Sequence, residues 1–165
     1  MGLLRLAALS SLLALTVPLP ADAQLVPEAE LKAAFIYNFA MFTEWPAEAF
    51  DGDGLFHICV APDSPLRAAL KKLSGQALHG RSVQVQDAPP PVWAQAGCQI
   101  AVLDGGEPPD GRPGVLTVGD GAPQGAIIGL LLQNQHLRFD IDASAARRAG
   151  LEPSSKLLRL ARVVR

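Results

Sequence analysis

The sequence predicts a single layered α/β domain: a mixed, mostly parallel sheet with a C-terminal antiparallel hairpin, flanked by helices. Three observations carry this expectation. Short apolar runs bounded by turn residues, at 55–61, 99–103 and 115–118, have the length and composition of strands buried on both faces. The first run is followed by a segment of helical character at 65–73, the strand-then-helix order that opens an α/β pattern. Near the C terminus, an apolar run at 126–132 and an alternating run at 136–141 are separated only by Gln133-Asn134-Gln135, a hairpin spacing.

The chain begins with one positive charge in residues 1–5, an apolar run at 6–19 and Ala21-Asp22-Ala23, the small-residue pattern of a signal-peptide cleavage site. Residues 1–23 therefore read as a cleaved signal peptide and 24–165 as the mature domain. A membrane anchor fits less well, because Pro18 and Pro20 interrupt a run shorter than the roughly 20 apolar residues a spanning helix needs. The remaining length suits one core and is short for two.

From Pro27 to Trp45, Leu31, Ala34, Phe35, Asn38, Phe42 and Trp45 recur at three- and four-residue steps, which predicts a helix ended by Pro46. Its other side carries Ile36, Tyr37, Phe39, Ala40 and Met41, so it is expected to be buried on more than one side, within the domain or against a second chain. Asn38 puts an amide on the apolar stripe, where it must cap a neighbouring segment or face an interface. Asp51-Gly52-Asp53-Gly54 reads as a turn, since the later ligands of a calcium loop are missing. Residues 82–86 alternate as a strand, Pro89-Pro90-Pro91 breaks the chain, and 104–114 is too rich in Gly and Pro for a helix. The hairpin is expected to form one edge of the sheet. Asp142 or Ser144 caps a short helix that Gly150 ends, and Pro153-Ser154-Ser155 opens the last helix. There Lys156, Arg159 and Arg162 follow at three-residue steps, predicting an outward basic stripe, while Leu157, Leu158, Leu160, Ala161 and Val164 are expected to pack on the sheet.

The formal charge is −2, which argues against nucleic acid as the main partner. Its distribution is uneven: residues 24–136 hold 6 basic and 12 acidic residues, and 137–165 hold 7 basic and 3 acidic ones. Such a basic end can face an acidic protein, a phosphate or water.

Both cysteines, Cys59 and Cys98, fall in the mature domain, and an even count in an oxidising compartment favours a disulfide. Two buried free thiols fit the same apolar context. The inventory for catalysis is thin. His57, His79 and His136 show no metal-ligand spacing, no serine sits in a Gly-x-Ser-x-Gly elbow, and Gly119-Asp120-Gly121 with Gly125 lacks the lysine of a phosphate loop. The reading is a binding protein rather than an enzyme, with no catalytic residue, no metal and no cofactor.

Two stretches carry a family resemblance. One is Lys32-Ala33-Ala34-Phe35-Ile36-Tyr37-Asn38-Phe39 running into Glu44-Trp45-Pro46. The other is 125–128 followed by Leu137-Arg138-Phe139-Asp140-Ile141-Asp142, Ala146, Ala149-Gly150-Leu151 and Ser154-Ser155-Lys156-Leu157-Leu158. In these, across nearly all of residues 28–162, the chain resembles the YfiR family of periplasmic signalling repressors. It departs at 104–114, where the family has a helix, at Gln124 in place of glycine, and at Asp142 in place of asparagine.

The resemblance implies a periplasmic protein that represses an inner-membrane diguanylate cyclase by binding its periplasmic sensor domain, so setting cyclic di-GMP levels and biofilm formation. It further implies sequestration by an outer-membrane lipoprotein, a small ligand such as GMP or tryptophan, and a structural disulfide at Cys59 and Cys98. The alternative function is a periplasmic sensor of a nucleotide or amino acid. Lys156, Arg159 and Arg162 are candidates for an acidic partner or phosphate. Phe35, Asn38, Phe39 and Phe42 are candidates for an interface helix, and a homodimer would bury its excess apolar surface.

Overall fold

A computed structural model describes residues 26–89, 92–93, 96–105, 112–121 and 125–165. The expected signal peptide, the prolines after Pro89, the centre of the 104–114 segment and Gln124 lie outside the described residues.

Helix α1 (Glu28–Met41) starts at Pro27, whose carbonyl accepts from the N–H groups of Glu30 and Leu31, with Glu28 and Glu30 at the electropositive end of the helix. It stops earlier than the sequence period predicts. Phe42 leaves helical geometry and the chain extends into β1 (Thr43–Glu44), so Trp45 lies beyond the helix. Its inner face also differs from the expected stripe. Lys32, Ala33, Ile36, Phe39 and Ala40 are buried, whereas Ala34 and Asn38 face outward. Asn38 therefore needs no buried partner; water serves it.

The sheet is built from β2 (Leu55–Val60), β3 (Ala77–Leu78), β4 (Arg81–Asp87), β5 (Ile100–Leu103), β6 (Leu116–Asp120), β7 (Ile128–Gln133), β8 (His136–Ile141) and β10 (Val163–Val164), in the order β10-β8-β7-β6-β5-β2-β4-β3. Neighbours from β4 to β7 are parallel, and β3–β4 and β7–β8 are antiparallel. This is the predicted mixed, mostly parallel α/β sheet. Both antiparallel pairs turn on two residues with positive φ, His79-Gly80 (49° and 73°) and Asn134-Gln135 (50° and 61°). Such turns match the right-handed twist of the strands they join.

The C-terminal hairpin is not the edge. β10 adds in parallel outside β8, with Arg162 N–H on the Phe139 carbonyl and Arg165 N–H on that of Ile141. A two-residue strand has no period to read, which is why the pattern hid it.

Along each central strand the side chains alternate between two cores. Ile58, Ile100, Val102, Leu116, Val118, Ile128, Leu130 and Phe139 face α1, α2 (Arg67–Lys71), α3 (Ala143–Arg148) and α4 (Ser155–Leu160), which all contribute to that core. Cys59, Ala101 and Leu103 face the other way, under Trp93, Ala88 and Cys98. Asp142 and Ser154 cap α3 and α4 by accepting from Ala145 and Leu157 N–H groups at 2.7 and 3.2 Å. Gly150 follows α3 at φ 74°, as a left-handed stop requires.

Candidate functional site

The two ends of the chain meet in a small ribbon. β1 leaves α1 and pairs antiparallel with β9 (Glu152–Pro153), which leads into α4, so the end of α1 lies beside the start of α4. Ser154 N–H donates to the Phe42 carbonyl at 2.8 Å and locks the junction. On it, Lys156 places Nζ 4.6 Å from the centre of the Phe42 ring, a cation–π contact at an exposed position.

Lys156 and Arg159 are exposed on α4, and neither has an acidic partner among the described residues. Leu157 goes into the core, while Leu160 is 64% exposed and Val163 and Val164 follow it outward. Two sequence expectations change here. Leu160 and Val164 do not pack on the sheet, and Arg162 does not extend a helical stripe, because the helix ends at Leu160 and Ala161 turns extended. Arg162 instead grips Asp140 of β8 side-on, Nε to Oδ1 at 2.9 Å and Nη2 to Oδ2 at 2.5 Å. That hydrogen-bonded pair holds the Asp140 carboxyl below the usual carboxylate range.

Of the α1 residues singled out in the sequence, Phe39 is fully buried, with its ring 4.9 Å from that of Phe139. It packs the core and is closed to a partner. Phe35 and Phe42 are half-buried, and Asn38 is exposed. Lys156, Arg159 and Leu160, three and four residues apart on α4, thus place two cations and an exposed aliphatic side chain on one side of that helix, next to the half-buried Phe42 ring.

Several polar side chains elsewhere are satisfied within the chain, whereas Thr43 Oγ1 and Arg81 Nε are buried without a partner among the described residues. At the carboxyl ends of β2, β5 and β6, the edge where parallel sheets hold ligands, Lys32 Nζ lies 2.8 Å from Asp120 and 2.5 Å from Glu28, and Ser64 donates to Asp104 at 2.8 Å. Burial opposes the charge on Lys32, yet the two carboxylates outweigh it and raise its pKa. Burial raises the Asp104 carboxyl, with Asp120 and Asp63 adding repulsion. This cluster ties α1 to the strand ends. It went unread in the sequence because Lys32 looks like a solvent-facing interruption of the helix.

His57 is buried between Asp53, 2.8 Å from Nε2, and Gln86 at Nδ1. Gln99 accepts from its backbone N–H at 2.6 Å and donates to the Ala49 and Gly97 carbonyls. His79 is bound at Nε2 to the Ala40 carbonyl, and His136 starts β8, so the three histidines stand on separate elements. Cys59 and Cys98 form a disulfide with Cα atoms 5.8 Å apart, joining β2 to the entry of β5. Of the two arrangements the sequence allowed, it is the bonded one.

The domain is a parallel-centred α/β fold whose two ends are clasped at the β1–β9 ribbon, beside the exposed cations of α4. The chain belongs to the YfiR/HmsC-like family, which it matches over residues 29–162. No curated protein matches the chain.

Proposed function

We propose that this chain is an exported periplasmic regulator that represses an inner-membrane diguanylate cyclase by binding the cyclase's periplasmic sensor domain, and so controls cyclic di-GMP and biofilm formation. The observation that carries the proposal is the family match over residues 29–162. Residues 1–23 serve as the cleaved signal peptide, and an oxidising compartment suits the Cys59–Cys98 bond.

The cyclase meets the α4 face. Lys156 and Arg159 supply unpaired positive charge, and Leu160 supplies apolar area that water otherwise covers. Arg162 positions the end of α4 through Asp140. Phe35, Asn38 and Phe42 extend the same face along α1, and a homodimer or an outer-membrane lipoprotein competes for it. The protein carries no catalytic step of its own.

The test is binding of the purified chain to the periplasmic domain of a cyclase from the same bacterium, before and after Lys156→Glu with Arg159→Glu. Charge reversal of two rim cations at an acidic partner is expected to weaken binding about tenfold or more, mainly in the association rate and most at low salt. Equal binding by both proteins would remove the α4 face from the account.

A further inference from the structure

His57 plays no part in the α4 face, yet it is a buried titratable group at the centre of a polar network on the opposite side of the sheet. Two residues before Cys59 on β2, it points to the same side as that cysteine. It is 8% exposed, so both ring nitrogens need partners within the chain. Nε2 lies 2.8 Å from the Asp53 carboxylate, and Nδ1 meets the side-chain nitrogen of Gln86 on β4. The same Gln86 nitrogen faces the Ala96 carbonyl at 3.4 Å.

These partners decide where the proton sits. A carboxylate only accepts, so Nε2 carries the hydrogen. A carbonyl also only accepts, so the Gln86 group between Ala96 and Nδ1 is its NH2, and Nδ1 accepts from it. Hydrogen bonds from His57 and from the Leu55 N–H hold the Asp53 carboxyl below the usual carboxylate range, and it stays ionised in mild acid. The neutral ring is thus satisfied at both nitrogens. A second proton enters only at Nδ1, where it meets the hydrogens of Gln86. The amide then has to turn over and present its oxygen, which takes its nitrogen off the Ala96 carbonyl.

The next charged groups are Asp51, whose carboxylate lies against Gly97, and Glu48 and Arg112, which line one cleft with Asp51. The three carboxylates favour an added positive charge, and Arg112 opposes it. β4 turns only uncharged groups to this side, Ser82, Gln84 and Gln86, and Gln99 beside β5 is occupied by backbone. Ala96 packs on the second core with Cys59, Trp93 and Cys98, so its tether to Gln86 helps hold this part of the chain on the sheet.

We propose that His57 is a proton-operated latch: a proton taken up from solvent at Nδ1 reverses the Gln86 amide and frees Ala96 from β4. Mild acid thereby loosens the cover of the second core beside the Cys59–Cys98 bond. The device is independent of the α4 docking face, and either assignment can fail without the other.

The test is nuclear magnetic resonance of the nitrogen-15-labelled protein from about pH 8 to about pH 5, the histidine range, above that of ordinary carboxylates. The signals followed are the His57 ring nitrogens, the Gln86 side-chain NH2 and the Gly97 amide, whose peptide unit contains the Ala96 carbonyl. All three are expected to move together with one midpoint, Nδ1 changing from acceptor to donor. This wild-type measurement assumes nothing about the folding of a variant. In Gln86→Leu, His57 should still titrate while the Gly97 signal stays in place. A ring that remains neutral down to about pH 5, a ring that titrates with Gln86 and Gly97 unmoved, or a Gly97 shift that persists in Gln86→Leu would each overturn the proposal.

Discussion

Replacing Cys59 and Cys98 together by alanine removes a cross-link between residues 39 apart in sequence. Closing a loop of that length in the unfolded chain is worth about 4 kcal/mol in the chain-entropy relation, and native-state effects commonly reduce it to roughly 2–4 kcal/mol. The sulfurs are also packed: Cys59 is fully buried and Cys98 nearly so, against Ala101, Leu103 and Trp93. Their loss therefore adds a small cavity cost to the entropic one. For a domain of this size each kcal/mol moves the midpoint by about 3–4 °C, so thermal unfolding followed by circular dichroism should show Tm lower by roughly 10 °C. Wild-type protein held in reductant should fall by a similar amount. A decrease under about 2 °C in both experiments would refute the reasoning, because it would mean that the unfolded chain gains almost no freedom when the bond is absent.

Asp120→Asn leaves the buried Lys32 ammonium with Glu28 alone and should cost about 2 kcal/mol by urea unfolding, with Lys32→Met combined with it recovering part of the loss. Arg162→Ala should lower stability modestly at neutral pH, because it removes both hydrogen bonds to Asp140. The Asp140 pKa is depressed in the folded protein, so its contribution is present above the unfolded carboxyl value near 4 and fades as pH falls through the lower folded value. The difference between wild type and Arg162→Ala should accordingly shrink in acid. A gap that grew on acidification would contradict the pairing. Phe39→Ala should destabilise by about 3–5 kcal/mol, whereas Asn38→Ala should change stability by less than about 0.5 kcal/mol, measured by the same unfolding.

Much of this fold was legible in the sequence where one local signal controls the backbone. The central strands are apolar runs of strand length, Asp142 and Ser154 sit where caps belong, and Gly150 stops a helix because it alone takes its backbone angle easily. The rest depends on partners distant in the chain. α1 is apolar almost all round, so its period could not say which side faces the sheet. The true inner face includes Lys32, made tolerable there by Glu28 one turn away and by Asp120, 88 residues away. Arg162 looked like the next member of a basic stripe because nothing nearby in sequence marks the helix end; its acid lies 22 residues back on β8. The strands β1, β9 and β10 are two residues long and exist only through their pairing.

The role proposed for the α4 face is to restrain a membrane-bound cyclase. Its most direct measurement is cellular cyclic di-GMP in a strain that lacks the chromosomal gene and is complemented with either the wild-type chain or the Lys156→Glu, Arg159→Glu variant, each confirmed as folded and exported. The account predicts that wild type lowers cyclic di-GMP and that the variant, present at equal level, leaves it near that of the deletion strain. Equal repression by both proteins would contradict the assigned face, and no repression by wild type would contradict the function itself.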